Sequence, residues 1–181
     1  MRRIIRMIVV SVLFRIIYFK RLSMKGVQDL RFSTEFSFHN KGHIDIGKRI
    51  TAFKNVTFSA NGGAVTIGDY AFFNRNCILV SRDNITIGNR CLFGPNVVIY
   101  DHDHVFNSDG PVEGEFKTSP VIIEDHCWIG ANVTILRGTH IGKGSVIGAG
   151  TVVKGNVPSN SIVIGNRNNT IIPTKDRNSY M

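Results

Sequence analysis

Residues 123–158 read IEDHCW IGANVT ILRGTH IGKGSV IGAGTV VKGNVP, and an aliphatic side chain returns at every sixth place: Ile123, Ile129, Ile135, Ile141, Ile147 and Val153. Four places after each stands a small or β-branched residue: Cys127, Val133, Thr139, Ser145, Thr151 and Val157. A period of six fits neither the roughly 3.6 residues of a helical turn nor the alternation of an ordinary strand. It is the repeat of a parallel β-helix, in which each hexad supplies one short flat strand and one corner. Three hexads close a triangular coil, so equivalent side chains stack in columns from coil to coil. The aliphatic column fills the interior, the small residue beside it leaves room, and Gly or Asn at the corners permits positive φ.

Upstream the same register runs from Ile44, less regularly. Ile46, Ala52 and Phe58 hold it, a short insertion at 61–63 resets it, and Ile67, Phe73 and Leu79 continue. A second reset at 84–86 leads to Ile87, Phe93 and Ile99. The pattern then breaks at residues 100–120, YDHDHVFNSDGPVEGEFKTSP, and resumes at Val121. A polar insertion of this length, bounded by strict repeats, must leave a corner and re-enter, which makes it the expected substrate-covering arm. The alternation of Phe32, Phe36 and Phe38 with polar residues predicts a strand entering the first coil. The chain divides into an N-terminal segment, 1–25, a β-helix, 26–172, and a polar tail, 173–181.

The 181 residues carry 22 Lys plus Arg against 13 Asp plus Glu, a net charge of +9. Seven of those cations, from Arg2 to Lys25, precede the first acid, Asp29, which leaves about +2 for the rest. A body so nearly balanced lacks the basic stripe of a nucleic-acid-binding face. Residues 1–25 are apolar and basic, but the uninterrupted apolar run, 7–14, is far below the roughly 20 residues of a transmembrane helix. With Arg15 inside and no small-residue cleavage site after it, the segment is no secretory signal either. Two readings stand: an interfacial segment on the inner, anionic face of the cytoplasmic membrane, or an element that covers the open end of the solenoid. Cys77, Cys91 and Cys127 each lie four places after an inward residue, in the small interior slot. They read as reduced thiols of a cytoplasmic protein, not as a metal or disulfide framework.

On these motifs, across roughly residues 45–172, the chain resembles the hexapeptide-repeat acyltransferases. It is most similar to the branch of galactoside, maltose and xenobiotic O-acetyltransferases and capsule-modifying enzymes. The resemblance implies an all-β fold, a left-handed parallel β-helix, assembled as a homotrimer with sites at the subunit interfaces. It implies acetyl-CoA as co-substrate, no metal, and a histidine general base at the start of the loop, which ungapped alignment from Asn74 places at His104. Imidazole suits that role without special tuning. His102 competes, since in a strand it points to the same side as His104 and away from Asp103.

On the acceptor side the resemblance implies Asn74, Arg82, Asp83, His102 and Asp103. On the cofactor side it implies Ala131 and Ala149 along the pantetheine arm, Trp128 at the acetyl end, and Lys154 near the nucleotide phosphates. Where the family often carries G-x-P-A-[KR], this chain reads GNRNN at 165–169, so Arg167 is the expected substitute cation. The γ-class carbonic anhydrases share the fold but need two histidines five residues apart. Here His126 is followed at that distance by Ala131 and His140 by Ser145. The expected function is acetyl transfer from acetyl-CoA to a sugar hydroxyl, most consistent with surface-polysaccharide assembly. The alternatives are an antibiotic acetyltransferase and a non-catalytic β-helix scaffold.

Overall fold

Three parallel sheets wrap one column of apolar side chains in the computed structural model, which describes residues 2–165. The first face stacks seven strands from Leu22–Met24 to Asn156–Val157. The second stacks seven from Asp29–Leu30 to Ile162–Val163, and the third six from Glu35–His39 to Val152–Val153. Register follows the repeat. Ile123 pairs with Ile141, Ile129 with Ile147 and Ile135 with Val153, and each of these side chains is buried. The small slots are buried too, with Cys127, Val133, Thr139, Ser145 and Thr151 all turned inward. All three cysteines are free and buried, and burial pushes the Cys77 thiol up to about 11.

The first coil opens at Leu22, inside the N-terminal segment and before the hexads become legible at Ile44; Leu22 pairs with Ile44 and Met24 with Ile46. Its corners are looser, with positive φ at Gly26, Asn40 and Lys41, so the six-residue spacing is lost while the pairing survives. In this half the interior is aromatic. Phe36 stacks on Phe58 at 5.5 Å, Phe58 meets Phe73 edge-on at 5.2 Å, and Phe73 lies parallel to Phe93 at 4.6 Å.

Helix α1, Arg2–Ile17, closes the end of this column. Its own Val10 and Ser11 are buried on the inner side, and Phe14 meets Phe36 edge-on at 5.1 Å. The Ser11 hydroxyl accepts the Gln28 amide at 2.9 Å. Helix α1 thus lies over the open end of the first coil, while Leu22–Met24 of the same segment is a strand of that coil.

One corner explains the asparagines. Asn55, Asn76, Asn96 and Asn132 all have positive φ, and their side-chain amides bond in a ladder at 3.2, 3.0 and 2.9 Å. Asn tolerates this backbone better than most residues, and its amide supplies a donor and an acceptor to successive coils. Arg167 and the polar tail, 173–181, lie outside the described residues.

Candidate active site

The insertion at 100–120 is an antiparallel hairpin, His102–Asn107 against Gly110–Thr118, that leaves the prism where the third face turns into the first. At its root Asp101 is fully buried and gathers donors from two coils. Its carboxylate accepts the Ser81 hydroxyl at 2.7 Å and the backbone amides of Arg82 and Asp83 at 2.8 Å each. It also accepts His102 Nδ1 at 3.0 Å. Gly63 lets this corner close: a Cβ there would stand 2.5 Å from the Asp83 amide nitrogen and from the Ser81 hydroxyl. With Nδ1 donating to Asp101, the lone pair of His102 is on Nε2.

His102 and His104 share one side of the hairpin, as strand alternation requires. Both rings meet Phe116, at 5.6 and 4.6 Å between centroids, and the Arg82 guanidinium covers the same ring at 3.3 Å. His102 is also flanked by Tyr100, and its side chain is only 10% exposed, whereas His104 is exposed. Asp103 points the other way and pairs with Arg137. Neither neighbouring aspartate therefore supports His104: one holds His102 and the other holds Arg137. Arg137 is a structural member of this corner that sequence reading did not single out, and the burial of Asp101 was not foreseen. The one available signal for Asp101 was Ser81, a second small polar residue one coil below it.

Asp101→Asn is expected to cost about 2–4 kcal/mol, because an amide nitrogen would then face amide donors in a buried site. Thermal unfolding followed by circular dichroism measures it. An unchanged melting temperature would contradict the hub role.

Comparison with known proteins follows this geometry. Residues 120–154 match the family described as the hexapeptide repeat of succinyl-transferase. A candidate lipopolysaccharide biosynthesis O-acetyl transferase of Escherichia coli K12, WbbJ, is 31% identical over 163 residues, which cover 84% of this chain and 82% of that protein. The chain belongs to the hexapeptide-repeat acyltransferases. A galactoside O-acetyltransferase of Lactococcus lactis is 40% identical over 110 residues, 60% of this chain and 53% of that protein, so the match spans about half of that enzyme. Among solved structures, a hexapeptide-repeat acetyltransferase of Vibrio cholerae complexed with acetyl-coenzyme A is 34% identical. It superposes with a TM-score of 0.61 and covers 66% of this chain and 64% of that one. The N-acyltransferase AntD of Bacillus cereus, at 22% identity and a TM-score of 0.69, shares the fold.

In this acyltransferase the residues expected on the cofactor side fall on two corners. Ala131 and Ala149 stack at the corner between the second and third faces, where Gly150 donates to the Ala131 carbonyl at 2.7 Å. Asn74, expected on the acceptor side, joins them instead, its backbone N–H donating to the Phe93 carbonyl at 3.0 Å, but the left-handed corner residue is Asn76, not Asn74. Trp128 stands outward on the second face, 55% exposed, in one row with Leu92 and Val146. Arg82, Asp83, the hairpin and the exposed Lys154 share the opposite corner. Sequence reading thus named residues on both corners, and one chain keeps them apart by the width of its third face. No group of three or more His, Cys, Asp or Glu among the described residues is arranged to hold a metal ion.

Proposed function

We propose that the chain is an acetyl-CoA-dependent O-acetyltransferase acting on a saccharide hydroxyl, with His104 as general base. The observation that carries this is the pair of histidines on one side of a hairpin that interrupts an otherwise strict repeat. His104 is the exposed member, free of any carboxylate among the described residues, and within reach of an incoming acceptor. It takes the proton from the acceptor hydroxyl as that oxygen attacks the thioester carbonyl. The carbon–sulfur bond then breaks, and the imidazolium returns the proton to the departing thiolate. No acyl-enzyme is needed, and the buried cysteines are in no position to form one. Arg82, which covers Phe116 beside both histidines, and Asp83 frame the acceptor; Asp103, turned away toward Arg137, does not. Trp128, Ala131, Ala149, Lys154 and Arg167 hold the CoA arm.

Asp101 favours a second assignment within the same function. In the neutral ring, Nδ1 donating to Asp101 leaves the lone pair on Nε2, which is the state a general base requires. Mutating the two histidines separately distinguishes them.

Site residues on two corners of a triangular prism favour a ring of subunits in which unlike corners meet. Such an interface is heterologous, and it closes when the rotation closes. The prism shape favours three copies, and the apolar row Leu92, Trp128 and Ile162 offers contact surface. The acetyl-CoA complex of the Vibrio relative and the lipopolysaccharide-biosynthesis name of the Escherichia relative support the cofactor and acceptor class. The test is thiol release from acetyl-CoA with a panel of saccharides. Acceptor-dependent release is expected; release with no acceptor in the panel, or only with antibiotics, would overturn the saccharide assignment.

A further inference from the structure

Helix α1 is turned inside out relative to an ordinary surface helix. Three of its cations are tied to the first coil: the exposed Arg3 and the part-buried Arg6 both pair with the Asp29 carboxylate, and Arg15 donates to the carbonyls of Met24 and Gly26. Its aliphatic side chains face away. Ile4, Ile5, Ile8, Leu13 and Ile16 are each at least 43% exposed, and Phe19, just beyond the helix, is 80% exposed. A soluble surface helix shows the reverse arrangement, with its apolar stripe on the core. Capping the solenoid uses only Val10, Ser11, Phe14 and Tyr18, so the outward stripe is not explained by the fold.

The helix of 16 residues is not long and apolar enough to cross a bilayer. At its C-terminal end a cleft of about 450 Å³ has aromatic walls, Tyr18, Phe36 and Phe38, with Lys20 and Arg21 at its edge. Among the described residues no carboxylate pairs with Lys20, Arg21 or Lys25. An exposed apolar stripe bordered by free cations matches the interface of an anionic bilayer, where the aliphatic groups enter the acyl boundary and the cations meet lipid phosphates. A second copy of this face is a poorer occupant. It would crowd the bordering cations Lys20, Arg21 and Lys25 of two copies at one contact, and residues 1–28 contain no acid to offset them.

We propose that the outer face of α1 docks the protein in the plane of an anionic membrane, with Lys20, Arg21 and Lys25 contacting lipid phosphates. The proposal does not depend on the catalytic assignment, because none of these residues belongs to the site. The test is sedimentation of the full chain with phosphatidylcholine vesicles, with and without phosphatidylglycerol. Binding is expected only when the anionic lipid is present, falling about fivefold for each of Lys20→Ala, Arg21→Ala and Lys25→Ala. The double variant Ile8→Asp, Leu13→Asp should lose at least about tenfold while keeping its circular dichroism spectrum and thiol-release rate. Equal sedimentation of wild type and the double variant would overturn the proposal. So would self-association that the double variant abolishes without any vesicle binding by the wild type; that result would assign the face to a second copy.

Discussion

His104→Ala is expected to lower kcat for acceptor-dependent thiol release by about 10²–10⁴-fold, the usual contribution of a positioned general base. The side chain is exposed on the hairpin and its ring touches only Phe116 among the aromatics, so folding should change by less than about 0.5 kcal/mol. His102→Ala separates the two assignments. That ring fills space between Tyr100 and Phe116 and occupies a donor position on Asp101, so its loss should lower thermal stability as well as rate. Steady-state rates and melting curves on the three proteins decide the matter. If His104→Ala retains wild-type kcat while His102→Ala loses the full factor, the base is His102 and the exposed histidine is an acceptor contact at most.

The largest effect on stability is expected at Phe73→Ala. Phe73 is fully buried and is the one ring that touches both Phe58 and Phe93, so its removal opens the middle of the column on two sides. Aromatic truncations in a packed interior cost about 3–5 kcal/mol. For a chain of this size the melting temperature should fall by roughly 10 °C. Phe32 is a matched control: it is 68% exposed, and Phe32→Ala should stay within about 0.5 kcal/mol. A solenoid transmits such damage along its axis because each coil rests only on its neighbours. Hydrogen exchange should therefore quicken first in the coils that carry Phe58 and Phe93.

What could be read from the sequence follows from which residues are periodic. From Ile123 to Val157 every inward position obeys the hexad, and every one of them is buried in its expected column. Spacing alone therefore placed the strands, the corners and the cysteines. The hairpin was legible as an interruption, and only that. Its two strands pair with each other, most of their side chains are exposed, and nothing periodic records their register. Helix α1 hid its orientation for a different reason. The partners of its cations, Asp29 and the carbonyls of Met24 and Gly26, become neighbours only after the first coil has closed. Asp101 was legible only as one acid beside the hairpin histidines. Its importance comes from burial beneath a corner, which is a tertiary fact. The two aspartates flanking His102 look alike in sequence, and the fold gives them different partners, Asp101 to His102 and Asp103 to Arg137.

The most direct measurement is a structure of the assembled protein with CoA bound. The CoA sulfur is expected in a groove between two subunits, with the Ala131–Ala149 corner of one beside the hairpin of the next. An acceptor oxygen placed to attack there would stand within hydrogen-bond reach of His104, about 2.6–3.2 Å or one water away. CoA bound on a surface that contains neither corner, with both hairpin histidines facing open solvent in the assembly, would contradict the catalytic account.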